Sequence, residues 1–189
     1  MSSADTREKI MSAARATVQA RGYNALSFRD LAEEVGIKSA SVHYHFPTKG
    51  DLGAALAKRY TEDGATYLSS LDTARKDARS CMKQYTDIFR AALVNDNRMC
   101  LWGIMAAEHE HMPPEVLEEL NRFKALNVGW LEKLISVDIT DAKDRKQARR
   151  RALGIFAAIE GAQLIARSQN DIAIYDQVIE SYRLAGLIP

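Results

Sequence analysis

Hydrophobic positions recur with a helical period from the first residues of the chain to the last. Ile10, Ala13, Ala14, Thr17 and Val18 fall at i, i+3, i+4, i+7 and i+8, the stripe of an amphipathic helix that Gly22 ends. Asp5 and Glu8 predict its start, the first capping a backbone N–H and the second reaching back to the cap. Ser27 and Asp30 repeat that arrangement ahead of Phe28, Leu31, Ala32 and Val35, and Gly36 stops this second helix after about eight residues. Gly36-Ile37-Lys38 then leaves room only for a tight corner before a short helix over 39–46, which Pro47 closes. Thr48 and Asp51 open another helix, running to Leu71, with Leu52, Ala55, Leu56 and Tyr60 on its inner face. Two short helices across a Gly-containing turn, braced on both sides, are the plan of a helix-turn-helix.

The helical period continues beyond residue 60. Ala78, Cys81, Met82, Tyr85, Ile88, Phe89 and Ala92 share one wide face, and Met99–Ala107 is apolar nearly all round, as a central helix covered by its neighbours would be. Pro113-Pro114 opens the next helix, with Val116, Leu117, Leu120, Phe123, Leu126, Trp130 and Leu134 inside it. Asp141 is expected to begin a long helix to about Ser168, and Asp171 to cap a last one through Leu184. No strand pattern and no internal repeat is present, so the fold class is all-α.

Composition narrows the function classes. With 189 residues, 47% hydrophobic and 27% charged, the chain can bury a core without disulfides or metal. No apolar run approaches the roughly 18 residues of a membrane span, and the first residues carry acids where a signal peptide would be apolar. A cytoplasmic protein away from membranes is expected. Cys81 and Cys100 match no zinc or redox spacing. The net charge of +1 divides unevenly: residues 1–60 hold 9 Lys and Arg against 6 Asp and Glu, while the rest hold 17 against 19. Enzyme signatures are missing, with no Gly-rich phosphate loop, Gly-x-Ser-x-Gly or His-Glu-x-x-His. Ser80-Cys81-Met82-Lys83 matches Ser-x-x-Lys without its companion motifs. Neither catalysis nor a cofactor is expected. The Glu108-His109-Glu110-His111 cluster reads as a solvated helix end, because its two histidines point about 200° apart on a helix. No metal is expected.

On the short helix, Val42, Phe46 and Ser39 share one side with His45 at the flank, while Ala40, Ser41, His43 and Tyr44 face away. The outward set carries no carboxylate and suits close approach to phosphates and base edges. Leu26-Ser27-Phe28-Arg29-Asp30-Leu31-Ala32, then Val35-Gly36-Ile37, then Val42-His43-Tyr44-His45-Phe46-Pro47-Thr48-Lys49 and Leu52, resembles the N-terminal domain of the TetR family of transcriptional regulators over about residues 5–55. The resemblance implies a homodimer that pairs a helix-turn-helix DNA-binding head, residues 1–47, with a ligand-binding and dimerisation body, residues 48–189. It places phosphate contacts on His43, where the family commonly has Tyr, and on Lys49. Lys38 stands where a Ser or Thr often caps the recognition helix. Lys38, Ser39, Ser41, His43, Tyr44 and Lys49 are therefore the expected contacts to an operator in double-stranded DNA, with Arg7 or Lys9 adding phosphate contacts.

For a small-molecule effector, the bulky residues on helices expected to converge are Tyr85, Phe89, Met99, Trp102, Met105, Phe123, Trp130 and Phe156, with Gln163 as polar anchor. Cys100 joins them: positive charge at Arg98 and the open N–H groups of a first helical turn would lower a thiol's pKa. Residues 98–103, with Ala106-Ala107-Glu108, are similar to the matching segment of a TetR subgroup that includes electrophile- and oxidant-sensing repressors. A buried core thiol is the other reading of Cys100, and Cys81 reads as core. Gly154, Ala158, Gly161 and Ala162 would let two helix pairs approach closely across a dimer interface, or close the monomer core. The reading that results is a repressor released from a palindromic operator by a small apolar or electrophilic ligand. A helical adaptor that binds only protein is the competing class, and would leave the outward face of residues 40–44 idle.

Overall fold

The computed structural model describes residues 3–71, 77–136 and 142–189. Among these the chain forms α1 (Ser3–Arg21), α2 (Phe28–Val35), α3 (Ser39–His45), α4 (Lys49–Ser70), α5 (Ala78–Val94), α6 (Leu101–Ala107), α7 (Pro114–Ile135), α8 (Ala142–Gln169) and α9 (Ile172–Leu184). Short 3-10 turns at Tyr23–Ala25 and His109–His111 join α1 to α2 and follow α6. No strand forms among the described residues.

The chain divides into two compact units, Met1–Glu62 with Leu101–Phe123, and Asp63–Cys100 with Lys124–Pro189. In the first, Ile10, Ala14 and Val18 of α1 meet Leu31 and Ala32 of α2, Val42 and Phe46 of the α3 segment, and Leu52 and Leu56 of α4. Leu101 and Met105 of α6 and Val116 and Leu120 of α7 complete this core. Burial of such side chains contributes roughly 1.5–3 kcal/mol each, enough to hold a helix as short as α2, about two turns, that would not form alone in water. In the second unit α5, α8 and α9 pack pairwise. Its core holds Met82, Tyr85 and Phe89, with Ile155, Phe156 and Ile159 and then Tyr175 and Ile179.

Local signals hold at most helix ends. Ser27 Oγ accepts from the Asp30 N–H at 3.3 Å, Asp171 caps α9 through the Ala173 N–H at 2.9 Å, and Thr48 and Asp51 form a reciprocal box at 2.9 and 3.0 Å. Two starts differ from expectation. α1 begins at Ser3, so Asp5 lies within its first turn. Glu8 turns away from the backbone to a bidentate pair with Arg59, both contacts at 2.9 Å. The central helix begins at Leu101 rather than Met99, because Asp96 and Asn97 at positive φ turn the chain and leave 98–100 outside any helix ahead of it. The cap expected of Asp141 lies outside the described residues.

Candidate functional site

α2 and α3 are set by a corner of three residues. Gly36 sits at φ 74°, ψ 39°, left-handed geometry that a side chain would strain. The Ile37 N–H donates back to the Ala32 carbonyl at 2.9 Å, closing the end of α2. Lys38 is extended at the N-cap of α3 and its side chain makes no capping bond, so its ammonium is available to other partners. Val42 and Phe46 anchor the inner side of α3. Ser39, Ala40, His43 and Tyr44 are exposed, Tyr44 to 78%, and Ser41 is half-buried. The outward face of α3 carries no acid, as DNA contact requires.

The basic side chains expected at phosphates are held in different ways. The His43 ring packs edge-on against Phe28, centroids 4.8 Å apart, with Nδ1 3.4 Å from the Pro47 carbonyl oxygen. A proton on Nδ1 leaves Nε2 a donor only in the imidazolium form. Lys49 is less open than expected: its Nζ donates to the Asn24 carbonyl at 3.1 Å and lies 4.7 Å over the Tyr23 ring. Desolvation there lowers the Lys49 pKa, against the pull of Glu108. Tyr23 in turn donates to the Lys49 carbonyl at 2.9 Å, and burial, with Glu115 nearby, pushes its phenol up to about 12. Lys49 therefore clamps the start of α4 to the Tyr23–Ala25 turn. Arg7 sits 4.9 Å over the Phe46 ring, and Lys9 is exposed.

Glu108 escaped the sequence reading. Its Oε2 accepts from the Asn24 N–H at 2.8 Å. An added Cβ at Gly22, where φ is 91°, would fall 1.9 Å from Glu108 Oε1, so Gly22 and Glu108 together fix the approach to α2. The acid belongs to this clasp, and no metal-holding group of His, Cys, Asp and Glu occurs among the described residues.

The ten effector candidates do not form one group. Trp102, Met105 and Phe123 belong to the first unit, where Met105 is core and Trp102 Nε1 donates to the Leu120 carbonyl at 3.0 Å. Phe123 packs against Tyr60 with centroids 5.0 Å apart. Tyr85, Phe89, Met99, Cys100, Trp130, Phe156 and Gln163 belong to the second unit. Tyr85 stacks on Trp130 at 5.0 Å and meets Phe89 edge-on at 5.3 Å. Gln163, wholly buried, accepts from the Cys100 N–H at 2.8 Å and donates to the Phe89 carbonyl at 2.7 Å. The expected first-turn position of Cys100 is corrected by the later start of α6. The charged group beside its thiol is the Glu160 carboxylate, opposite in sign to the charge that would activate it. Of the small residues expected either at a dimer interface or in the monomer core, Ala162 is fully buried in the core.

A capped helix, a glycine corner and an acid-free exposed helix define a helix-turn-helix regulator. The profile of the bacterial regulatory proteins of the tetR family matches residues 10–56. A TetR transcriptional regulator from Legionella pneumophila is 30% identical, over 97% of this chain and 97% of that one, with a TM-score of 0.87. The chain belongs to the TetR family of transcriptional regulators, which bind DNA and are not enzymes. A TetR-family regulator from Agrobacterium tumefaciens, 24% identical over 94% and 95% of the two chains, shares the fold at a TM-score of 0.84. E. coli NemR in its reduced form shares it at 0.76, with 16% identity over 94% of each chain. Among curated proteins none matches significantly. No helix among the described residues is long and apolar enough to cross a membrane.

Proposed function

We propose that the protein is a ligand-responsive repressor that binds a palindromic operator as a homodimer. The observation that carries this reading is α3, anchored by Val42 and Phe46 while presenting Ser39, Ser41, His43 and Tyr44 without a carboxylate. One such helix reads only a few base pairs, so two copies entering successive major grooves, about 34 Å apart, supply the affinity. Lys38 and His43 hold phosphate directly, and Lys49 also fixes the start of α4. Residues 1–47 are the DNA-binding part, and 48–189 the effector-binding and dimerising part.

For the dimer, α8 presents Leu153, Leu164 and Ile165, each about half exposed, on the side where Gly154 and Gly161 have nothing within 4 Å of a Cβ position. An apolar stripe of this kind on a folded monomer marks a protein interface, and glycines let a second helix approach closely. The effector, a small apolar or electrophilic molecule, binds among the seven candidates of the second unit. It shifts the chain at Cys100-Leu101, where a backbone N–H held by Gln163 is followed by a residue of the head's core. By linkage the effector binds the DNA-incompetent state more tightly.

A mobility shift on the DNA upstream of the protein's own gene tests this, with and without a panel of apolar and electrophilic compounds. A specific shift released by one compound is expected. No shift at low salt, with the dimer confirmed by sedimentation, would overturn the reading and favour a protein-binding adaptor.

A further inference from the structure

Glu160, in the middle of α8, is 7% exposed, and both of its carboxylate oxygens are buried with no hydrogen-bond partner. A buried acid left unsatisfied costs more than a neutral polar group in the same place. The groups that face it are Tyr85 of α5, Tyr175 of α9 and Cys100. Both tyrosine hydroxyls, and the backbone N–H of Cys100, are committed elsewhere. The Tyr85 hydroxyl donates to Asn127 Oδ1 at 2.9 Å, the Tyr175 hydroxyl to the Thr86 carbonyl at 2.8 Å, and the Cys100 N–H to Gln163. The thiol of Cys100 favours the charged form, yet neither oxygen gains a hydrogen bond in good geometry. The Arg90 guanidinium, beyond Tyr175, is spent on a bidentate pair with Asp176 at 2.7 and 2.9 Å.

Resting on the effector reading above, we infer that Glu160 is the anchor of the effector site and that the effector is a protonated amine on an apolar body. An ionised carboxylate accepts and cannot donate, so in that form its missing partner must bring N–H or O–H donors. A cation supplies charge as well as donors. Tyr85, beside the carboxylate, brings an aromatic ring next to the cation, and Phe89 and Phe156 supply apolar side chains in the same unit. Burial raises the Glu160 pKa to about 7. The acid is then mostly neutral at pH 6 and mostly ionised at pH 8, while an alkylamine stays protonated throughout.

The test is calorimetric titration of the full-length protein with octylamine and phenethylamine, each against its matched alcohol, at pH 6 and pH 8. Each amine is expected to bind at least tenfold tighter than its alcohol at pH 8, and about tenfold tighter there than at pH 6, as the ionised fraction dictates. Glu160→Gln, its fold checked by circular dichroism, is expected to lose both the preference and the pH dependence. Equal binding of amine and alcohol, no saturation by either amine at millimolar concentration, or a preference that survives in Glu160→Gln would overturn the inference. The pH profile of the unaltered protein reports without any variant. A mobility shift on the same preparations keeps the two readings apart. An intact shift with no amine preference defeats the amine alone, whereas amine binding without any shift defeats the repressor.

Discussion

The head and the body solve opposite problems with polar groups. In the first unit the functional side chains are outside: Tyr44, His43 and Lys38 face water, and the capping residues Ser27, Thr48 and Asp51 satisfy helix ends at the surface. In the second unit the polar chemistry is inside, with Gln163, Glu160, Asn127 and Thr86 buried among aromatic rings. A surface site binds a large, charged partner through many weak, screened contacts. An interior site serves a small ligand, where low dielectric makes each polar contact strong and each missing one costly. The two units should therefore respond differently to loss of a single polar side chain, severely inside and mildly outside.

The largest expected effect is at Gln163. Gln163→Leu strands the Cys100 N–H and the Phe89 carbonyl, each costing roughly 1–3 kcal/mol, so a loss of about 4 kcal/mol is expected in urea unfolding. A loss under about 1 kcal/mol would show that the interior network is not what distinguishes the body. Glu160 comes next, with the reverse sign. Its folded pKa lies near 7 against an ordinary 4.5, so the folded state keeps a proton that the unfolded chain releases. Stability then falls as pH rises through that window and levels off above it, a cost of about 3 kcal/mol by pH 8. Glu160→Gln keeps some desolvation cost, so a net gain of about 2 kcal/mol at pH 8 is expected, with a flattened profile between pH 4.5 and 7. Unfolding curves at pH 5 and pH 8 check both.

Smaller effects belong to the head. Tyr44→Ala should leave the melting temperature unchanged and weaken operator binding by roughly 1–2 kcal/mol more than binding to random DNA. Gly36→Ala should destabilise by roughly 1 kcal/mol through strain at positive φ, and binding should weaken only as far as the corner shifts. Lys38→Ala is expected to do least: a loss of a few tenths of a kcal/mol at physiological salt and a salt dependence flatter by about one unit of slope. An unchanged slope would mean that the Lys38 ammonium meets no phosphate.

The helix-turn-helix was legible in the chain because its signals are local. A cap acts on an N–H three residues away, a left-handed glycine acts on its own backbone, and the apolar spacing of α2 and of Val42 and Phe46 is read without a distant partner. The helical class of the remainder followed from the same period, while the starts of α1 and α6 were misjudged by three and two residues. That Tyr23 and Asn24 also hold the Lys49 side chain had no signal in the chain. Glu108 looked like a solvated helix end, although its partner, Asn24, lies 84 positions earlier. Glu160 gave no signal at all, since a lone acid in a helical stripe is ordinarily at the surface. Whether such a side chain is paired, clamped or stranded depends on which turns of α5, α8 and α9 meet. That is decided by packing across the whole unit, over separations at which the chain carries no local code, so the buried carboxylate became visible only in three dimensions.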